Sequence, residues 1–203
     1  EWTELDGQEQ LDLLLQARLH ALRNETGEVG VLLELANGKL IWRVPAPGVL
    51  PQYGTATSPL IDPSQGGTSV IVHVGGYNQG ALTSFDAATG KPRWQWTGDG
   101  PGSGSPIIAT LGGVRQVIAQ TQKFLVGLNA STGALLWHLP FTDDFNQNGF
   151  TPVVFQDLVI NAGIDQPLTA VRPKIDGGKW IAETVWANSQ TPMFLSSPVL
   201  IDG

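Results

Sequence analysis

Short runs of β-branched, aromatic and other apolar residues, four to eight long, recur from residue 29 to the end of the chain, separated by Gly, Pro, Asn and Asp. SVIVHV at 69–74, ALTSF at 81–85, QVIA at 116–119 and FLVGL at 124–128 carry the pattern, which predicts β-strands between tight turns. We expect strands at 57–61, 68–74, 81–86 and 91–96, then at 105–110, 115–121, 124–129 and 134–139. A third set falls at 151–155, 158–162, 168–172 and 179–186, its last turn enlarged by Ile175-Asp176-Gly177-Gly178. Upstream, 29–35 and 39–44 predict two more strands.

The opening stretch differs. Leu11, Leu14, Leu15, Arg18, Leu19 and Leu22 recur at helical spacing, and Asp6 with Glu9 three residues on is a variant capping box. This predicts an amphipathic helix over 8–23 that covers a strand edge or docks on a partner.

Two markers repeat in phase. Ser58-Pro59, Ser105-Pro106, Thr151-Pro152 and Ser197-Pro198 each precede an apolar run, with prolines 47, 46 and 46 residues apart. A glycine four residues before a tryptophan recurs as Gly38/Trp42, Gly90/Trp94 and Gly133/Trp137. About four strands in roughly 46 residues is the size of one propeller blade, whereas helical repeats of that length need helical periodicity that these segments lack.

The expected fold is therefore all-β: a β-propeller of four-stranded antiparallel blades preceded by a short N-terminal helix. The division is a helical extension at 1–28 and a partial propeller at 29–203. Within the propeller lie a half blade at 29–45, blades at 57–97, 105–140 and 151–187, and strand A of a further blade at 197–203. Residues 29–203 hold about 3.8 repeats, fewer than the 4–8 blades of a closed ring. This predicts about four blades of a larger ring, or a half-propeller that pairs with another chain through open blade edges.

Composition agrees with a turn-rich β protein and removes several functions. Gly (25) and Pro (14) make up roughly a fifth of the 203 residues, against about 12% in average usage. Without cysteine there is no disulfide, thiolate metal site or thiol nucleophile. A net charge of −7 supplies no basic surface for phosphates, so nucleic acid is not an expected partner. The longest apolar-looking stretch, 11–22, is broken by Asp12, Gln16, Arg18 and His20 and spans no bilayer.

SFDAATGKPRW at 84–94 and GLNASTGALLW at 127–137 resemble the tryptophan-docking motif of the pyrroloquinoline-quinone-type β-propeller repeat, and LLELANGKLIW at 32–42 is a looser copy with Glu34 in place of Asp. The family takes its name from quinoprotein alcohol dehydrogenases. The chain is closest in character to cofactor-free bacterial propellers such as the outer-membrane barrel-assembly lipoprotein. The resemblance implies a ring of seven or eight blades. It assigns a structural docking role to Trp42, Asp86, Gly90, Trp94, Asn129, Gly133 and Trp137. In the third repeat it assigns docking to Trp186 in preference to Trp180. Physically, Asp86 or Asn129 bonds the turn backbone, Gly90 or Gly133 supplies positive φ, and the Trp packs between blades.

A catalytic constellation is harder to assemble. Asp144, Asn146, Asn148 and Gly149 match the first half of a calcium loop, but Pro152 and Phe155 stand where its later ligands belong, leaving a polar inter-blade loop as the expected role. GDGPGSG at 98–104 is followed by a strand and not by the helix that a phosphate cradle needs, so it is expected to connect blades. His20, His73 and His138 lie outside motif distance of one another and of a Ser/Asp pair. The sequence thus predicts no catalytic or metal residue and no cofactor. The leading expectation is a non-enzymatic scaffold binding a protein or another envelope component, with periplasmic or cell-envelope location implied by the resemblance. The alternative is a fragment of an alcohol or sugar dehydrogenase using pyrroloquinoline quinone with calcium, and a small-molecule-binding channel is a third.

Overall fold

A computed structural model describes residues 28–33, 39–45, 57–64, 67–142, 147–191 and 193–201. The helix expected over 8–23 lies outside the described residues. Fourteen strands are described. The pair β1 (Glu28–Leu33) and β2 (Leu40–Pro45) forms a half blade. The first blade is β3 (Leu60–Asp62), β4 (Ser69–Gly76), β5 (Gln79–Asp86) and β6 (Pro92–Trp96). The second is β7 (Ile107–Leu111), β8 (Val114–Gln120), β9 (Phe124–Asn129) and β10 (Leu135–Pro140). The third is β11 (Val153–Phe155), β12 (Leu158–Gly163), β13 (Gln166–Asp176) and β14 (Lys179–Asn188). Each blade is an antiparallel meander in chain order, and the fold is a β-propeller of four-stranded blades.

The predicted strands fall on the observed ones with shifts of a few residues, and there are three differences. The first strand of each blade is shorter than expected because it pairs on one side only, and its opening Ser/Thr-Pro residues contribute no ladder bond. The β13–β14 hairpin is longer than expected, continuing to a two-glycine turn at Gly177 (φ 54°) and Gly178 (φ 79°). Residues 197–201, expected as a strand, form no ladder among the described residues.

Three hydrophobic clusters lie between successive sheets. Trp42 and Val44 of the half blade meet Val70, Val72 and Phe85 of the first. Ile71, Leu82 and Trp94 meet Val117, Val126, Leu128 and Ala130 of the second. Ile118, Leu125 and Trp137 meet Val159 and Val171 of the third. Strand alternation produces this arrangement: one face of each sheet packs forward and the other backward. Each buried Leu, Ile or Val adds roughly 1.5–3 kcal/mol.

Register makes the repeat explicit. Ile71, Ile118 and Ile160 pair with Ser84, Gly127 and Ala170, which in turn pair with Trp94, Trp137 and Trp186. Two residues before that partner stand Leu82, Leu125 and Leu168. The same Ile, Leu and Trp set therefore occupies the forward face of all three blades.

Candidate functional site

The turn between the third and fourth strands is built by the residues that the sequence singled out. Asp86 Oδ1 accepts from the backbone N–H of Ala88 (3.1 Å) and Thr89 (2.9 Å) and from Thr89 Oγ1 (2.9 Å). Asn129 Oδ1 accepts from Ser131 N (3.0 Å), Ser131 Oγ (2.7 Å) and Thr132 N (3.2 Å). Gly90 and Gly133 close the turns at φ 69° and 71°, each N–H donating 2.8 Å to the carbonyl of Asp86 or Asn129. The Arg93 guanidinium, 2.7 Å from Asp86 Oδ2, together with the Thr89 hydroxyl pulls the Asp86 pKa down to about 2.

The tryptophans close onto these turns from the preceding sheet. Trp42 Nε1 donates 2.8 Å to Ala87 O, and a Cβ on Gly90 would stand 2.8 Å from the Trp42 ring. Trp94 Nε1 donates 2.8 Å to Ala130 O, and a Cβ on Gly133 would stand 2.6 Å from its ring. The glycine thus serves twice, for the left-handed turn and for ring clearance.

The next seam is constructed differently. Arg172 occupies the register of Asp86 and Asn129, and its Nε donates to Asp157 Oδ2 (2.6 Å). β13 does not turn there but runs on to Asp176. Trp137 Nε1 therefore donates within its own blade, to Gln116 Oε1 at 2.7 Å, while Gln116 Nε2 donates to Leu111 O at 3.0 Å. Trp186, expected to dock, keeps the docking register but is 40% exposed, because no described blade lies beyond it. Trp180 is the ring that packs into the seam, against the cluster containing Trp137 and over Gly112 of the second blade.

The Ser/Thr-Pro steps have a role the sequence did not disclose. Ser58 N donates to Ser105 Oγ (2.8 Å), Ser105 N to Thr151 Oγ1 (3.1 Å), and Ser197 Oγ to Thr151 Oγ1 (3.3 Å). The Ser105 and Thr151 hydroxyls each accept from the preceding step and so link one blade to the next, and Pro59, Pro106 and Pro152 stand immediately before an edge strand, where a missing N–H costs no ladder bond. The common hydroxyl at a 46-residue interval was the available signal.

The loops joining blades carry a second polar network. His73, 1% exposed, donates from Nε2 to Asp99 O at 3.2 Å, and burial pushes its pKa down to about 4. Asp99 Oδ2 accepts from Thr121 Oγ1 (2.6 Å) and Lys123 N (2.7 Å). Gln120, at the register of His73, donates to Ala162 O and accepts from Phe150 N, both at 2.8 Å. The glycines of the 98–104 loop permit close approach: Cβ atoms on Gly100, Gly102 and Gly104 would fall 2.7 Å from Gln122 Oε1, 2.7 Å from Gln120 O and 2.1 Å from Phe150 O. His138 meets Phe124 edge-on, and Phe124 N donates to Thr121 Oγ1 of this network (3.0 Å).

Of the calcium-like segment, Asp144 and Asn146 lie outside the described residues. Asn148 is buried, with Nδ2 turned toward the carbonyls of Thr121 (3.0 Å), Gln122 (3.1 Å) and Phe141. Its amide thus ties the loop to the second blade. Among the described residues no group of three or more His, Cys, Asp or Glu could hold a metal ion, and no helix is long and apolar enough to cross a membrane.

A family model described as outer membrane protein assembly factor BamB matches residues 25–111 and 79–200. The chain belongs to this family. No curated protein sequence matches the chain. Among solved structures, BamB from Moraxella catarrhalis is similar at a TM-score of 0.52 and 16% identity, covering 81% of this chain and 46% of that one. The quinohemoprotein alcohol dehydrogenase ADHIIG from Pseudomonas putida HK5 is similar at 0.56 and 17%, covering 87% and 35%. The chain spans less than half the length of either structure, and at these identities the likeness is one of fold.

Proposed function

We propose that this BamB-family chain is part of a non-enzymatic propeller scaffold of the bacterial cell envelope, binding a protein partner. One observation carries the reading: five polar side chains at its inter-blade seams and loops are engaged within the protein. His73, Gln116, Gln120 and Asn148 each donate to a main-chain carbonyl, and Asp99 accepts from Thr121 and from the Lys123 N–H. Groups committed in this way support a rigid platform and leave its loops, such as the turn bearing half-exposed Tyr77, to meet a partner.

A quinone held through calcium does not fit the described residues. Calcium needs six to eight convergent oxygens. Asp62 is bonded to Arg115 and Ser64, Asp86 to its turn and Arg93, and Asp157 to Arg172, on separate parts of the sheets. The test adds pyrroloquinoline quinone and calcium to the chain with primary alcohols or sugars and follows dye reduction. No turnover is expected, and turnover abolished by chelating the calcium would overturn the scaffold reading. Photo-crosslinking from position 77 in the periplasm is expected to give an adduct with one defined envelope protein.

A further inference from the structure

The back faces of the first two blades are apolar at one position of the second strand, and the third blade is polar there. Val72 in the first blade and Ala119 in the second stand in the seam clusters. Asn161 holds the same register in the third, opposite Thr169 as Val72 is opposite Thr83 and Ala119 opposite Val126. Val159, two residues earlier on β12 and so on the same face, packs against the second blade. Asn161 therefore faces the seam. It is 0% exposed, and neither its Nδ2 nor its Oδ1 has a hydrogen-bond partner in the protein.

A second bare group comes from the other side. Asn148, also 0% exposed, spends its Nδ2 on the carbonyls of the second blade and its connecting loop and leaves Oδ1 unpartnered. That oxygen lies 3.1 Å from where a Cβ on Gly163 would be, two residues along β12 from Asn161. Gln120 crosses the seam beside them to Ala162 O. The seam thus gathers one unpaired amide donor and two unpaired carbonyl acceptors, each of which costs free energy when buried without a partner.

We propose that this seam is a binding site for ordered water, held between the Asn161 amide and Asn148 Oδ1. Water both donates and accepts, as this set of groups demands. A cation would satisfy the oxygens and leave the Asn161 N–H groups opposed to its charge, and an apolar ligand would satisfy none of them. A buried water typically makes about three hydrogen bonds, the number of groups present. The water joins the loop at 147–150 to β12, so it acts as a cross-link between the second and third blades at a seam that, among the described residues, lacks the docking turn.

The experiment is an atomic-resolution crystal structure of the chain together with the stabilities of Asn161→Val and Asn161→Ala, which install the residue types of the other two blades. Density within about 2.7–3.2 Å of both Asn161 and Asn148 Oδ1 is expected in the native protein. It should be missing from both variants, whose melting temperatures should fall by several degrees. Native density in which the two amides pair with each other or with main chain overturns the proposal. So does a melting temperature that is unchanged or raised in Asn161→Val, the behaviour of a bare polar group replaced by an apolar one. If Asn161→Val fails to fold, Asn161→Ala and the native density still decide.

Discussion

Replacing His73 by glutamine should remove an acid-sensitive step from the stability of the chain. The imidazole is fully buried, meets Trp96 edge-on at 6.4 Å and donates from Nε2 to Asp99 O. A carbonyl can only accept, so the ring is the neutral Nε2–H tautomer. Burial lowers its pKa from 6.5 to about 4. Between those values the unfolded chain binds a proton that the folded chain does not, so stability rises with pH across the window. The contribution is complete above pH 6.5 and is lost as pH falls through about 4, spanning about 3 kcal/mol at 1.36 kcal/mol per pH unit. Gln120 shows that an amide suits this register, since it bonds across the seam from the equivalent position of the second blade. His73→Gln retains a donor for Asp99 O but does not titrate. Urea unfolding at pH 7 and pH 4.5 should show the native chain losing roughly 2–3 kcal/mol more than the variant. Equal losses would refute the assignment of the step to His73. His73→Leu, which leaves Asp99 O unpaired, should be about 1–3 kcal/mol less stable at pH 7 yet share the flatter pH dependence.

Other substitutions separate the seams. Trp94→Ala and Trp137→Ala should each cost about 3–5 kcal/mol by opening an inter-blade cavity, whereas Trp186→Ala on the exposed face should cost under about 1 kcal/mol; thermal melts of the three give the order directly. Gln116→Leu strands both Trp137 Nε1–H and Leu111 O and should destabilise by about 2–4 kcal/mol, with a red-shifted Trp fluorescence as the seam loosens. Gly133→Ala places a methyl group 2.6 Å from the Trp94 ring at a φ of 71° and should cost more than about 1 kcal/mol in chemical denaturation, while Gly113→Ala, with open space around it, should cost only its backbone strain.

The blades were legible because their punctuation is chemical. The Gly and Trp spacing marks a turn and the ring that lies on it, and the Ser/Thr-Pro step marks a hydroxyl link and a strand at an edge. Side-chain networks between blades were not legible, because their partners are main-chain atoms that no residue type announces: Asp99 O for His73, Ala162 O for Gln120. The sequence also could not separate register from burial at Trp186. The spacing of the third repeat departs from that of the others, Trp186 still holds the register of Trp94 and Trp137, and whether a ring is covered depends on the sheet beyond it. Asn148 shows the converse. Its motif suggests an oxygen ligand, while the fold turns its nitrogen to three carbonyls.

The third blade shows that the two faces of a blade change independently. Its back face has lost the receiving turn: Arg172 replaces the Asp or Asn, the hairpin continues to Asp176, and Trp137 bonds Gln116 of its own sheet. Its forward face keeps Ile160, Leu168 and Trp186, in the register of the buried set in the other two blades. Strand alternation explains how, since residues of one face are separated by those of the other and can be exchanged without disturbing them. A lost docking carbonyl then needs only a local replacement, here one glutamine and one tryptophan brought back by a longer hairpin. The described seams of this chain accordingly differ in construction from one to the next, and the altered seam is where Asn161 and Asn148 place polar groups that an apolar seam would not tolerate.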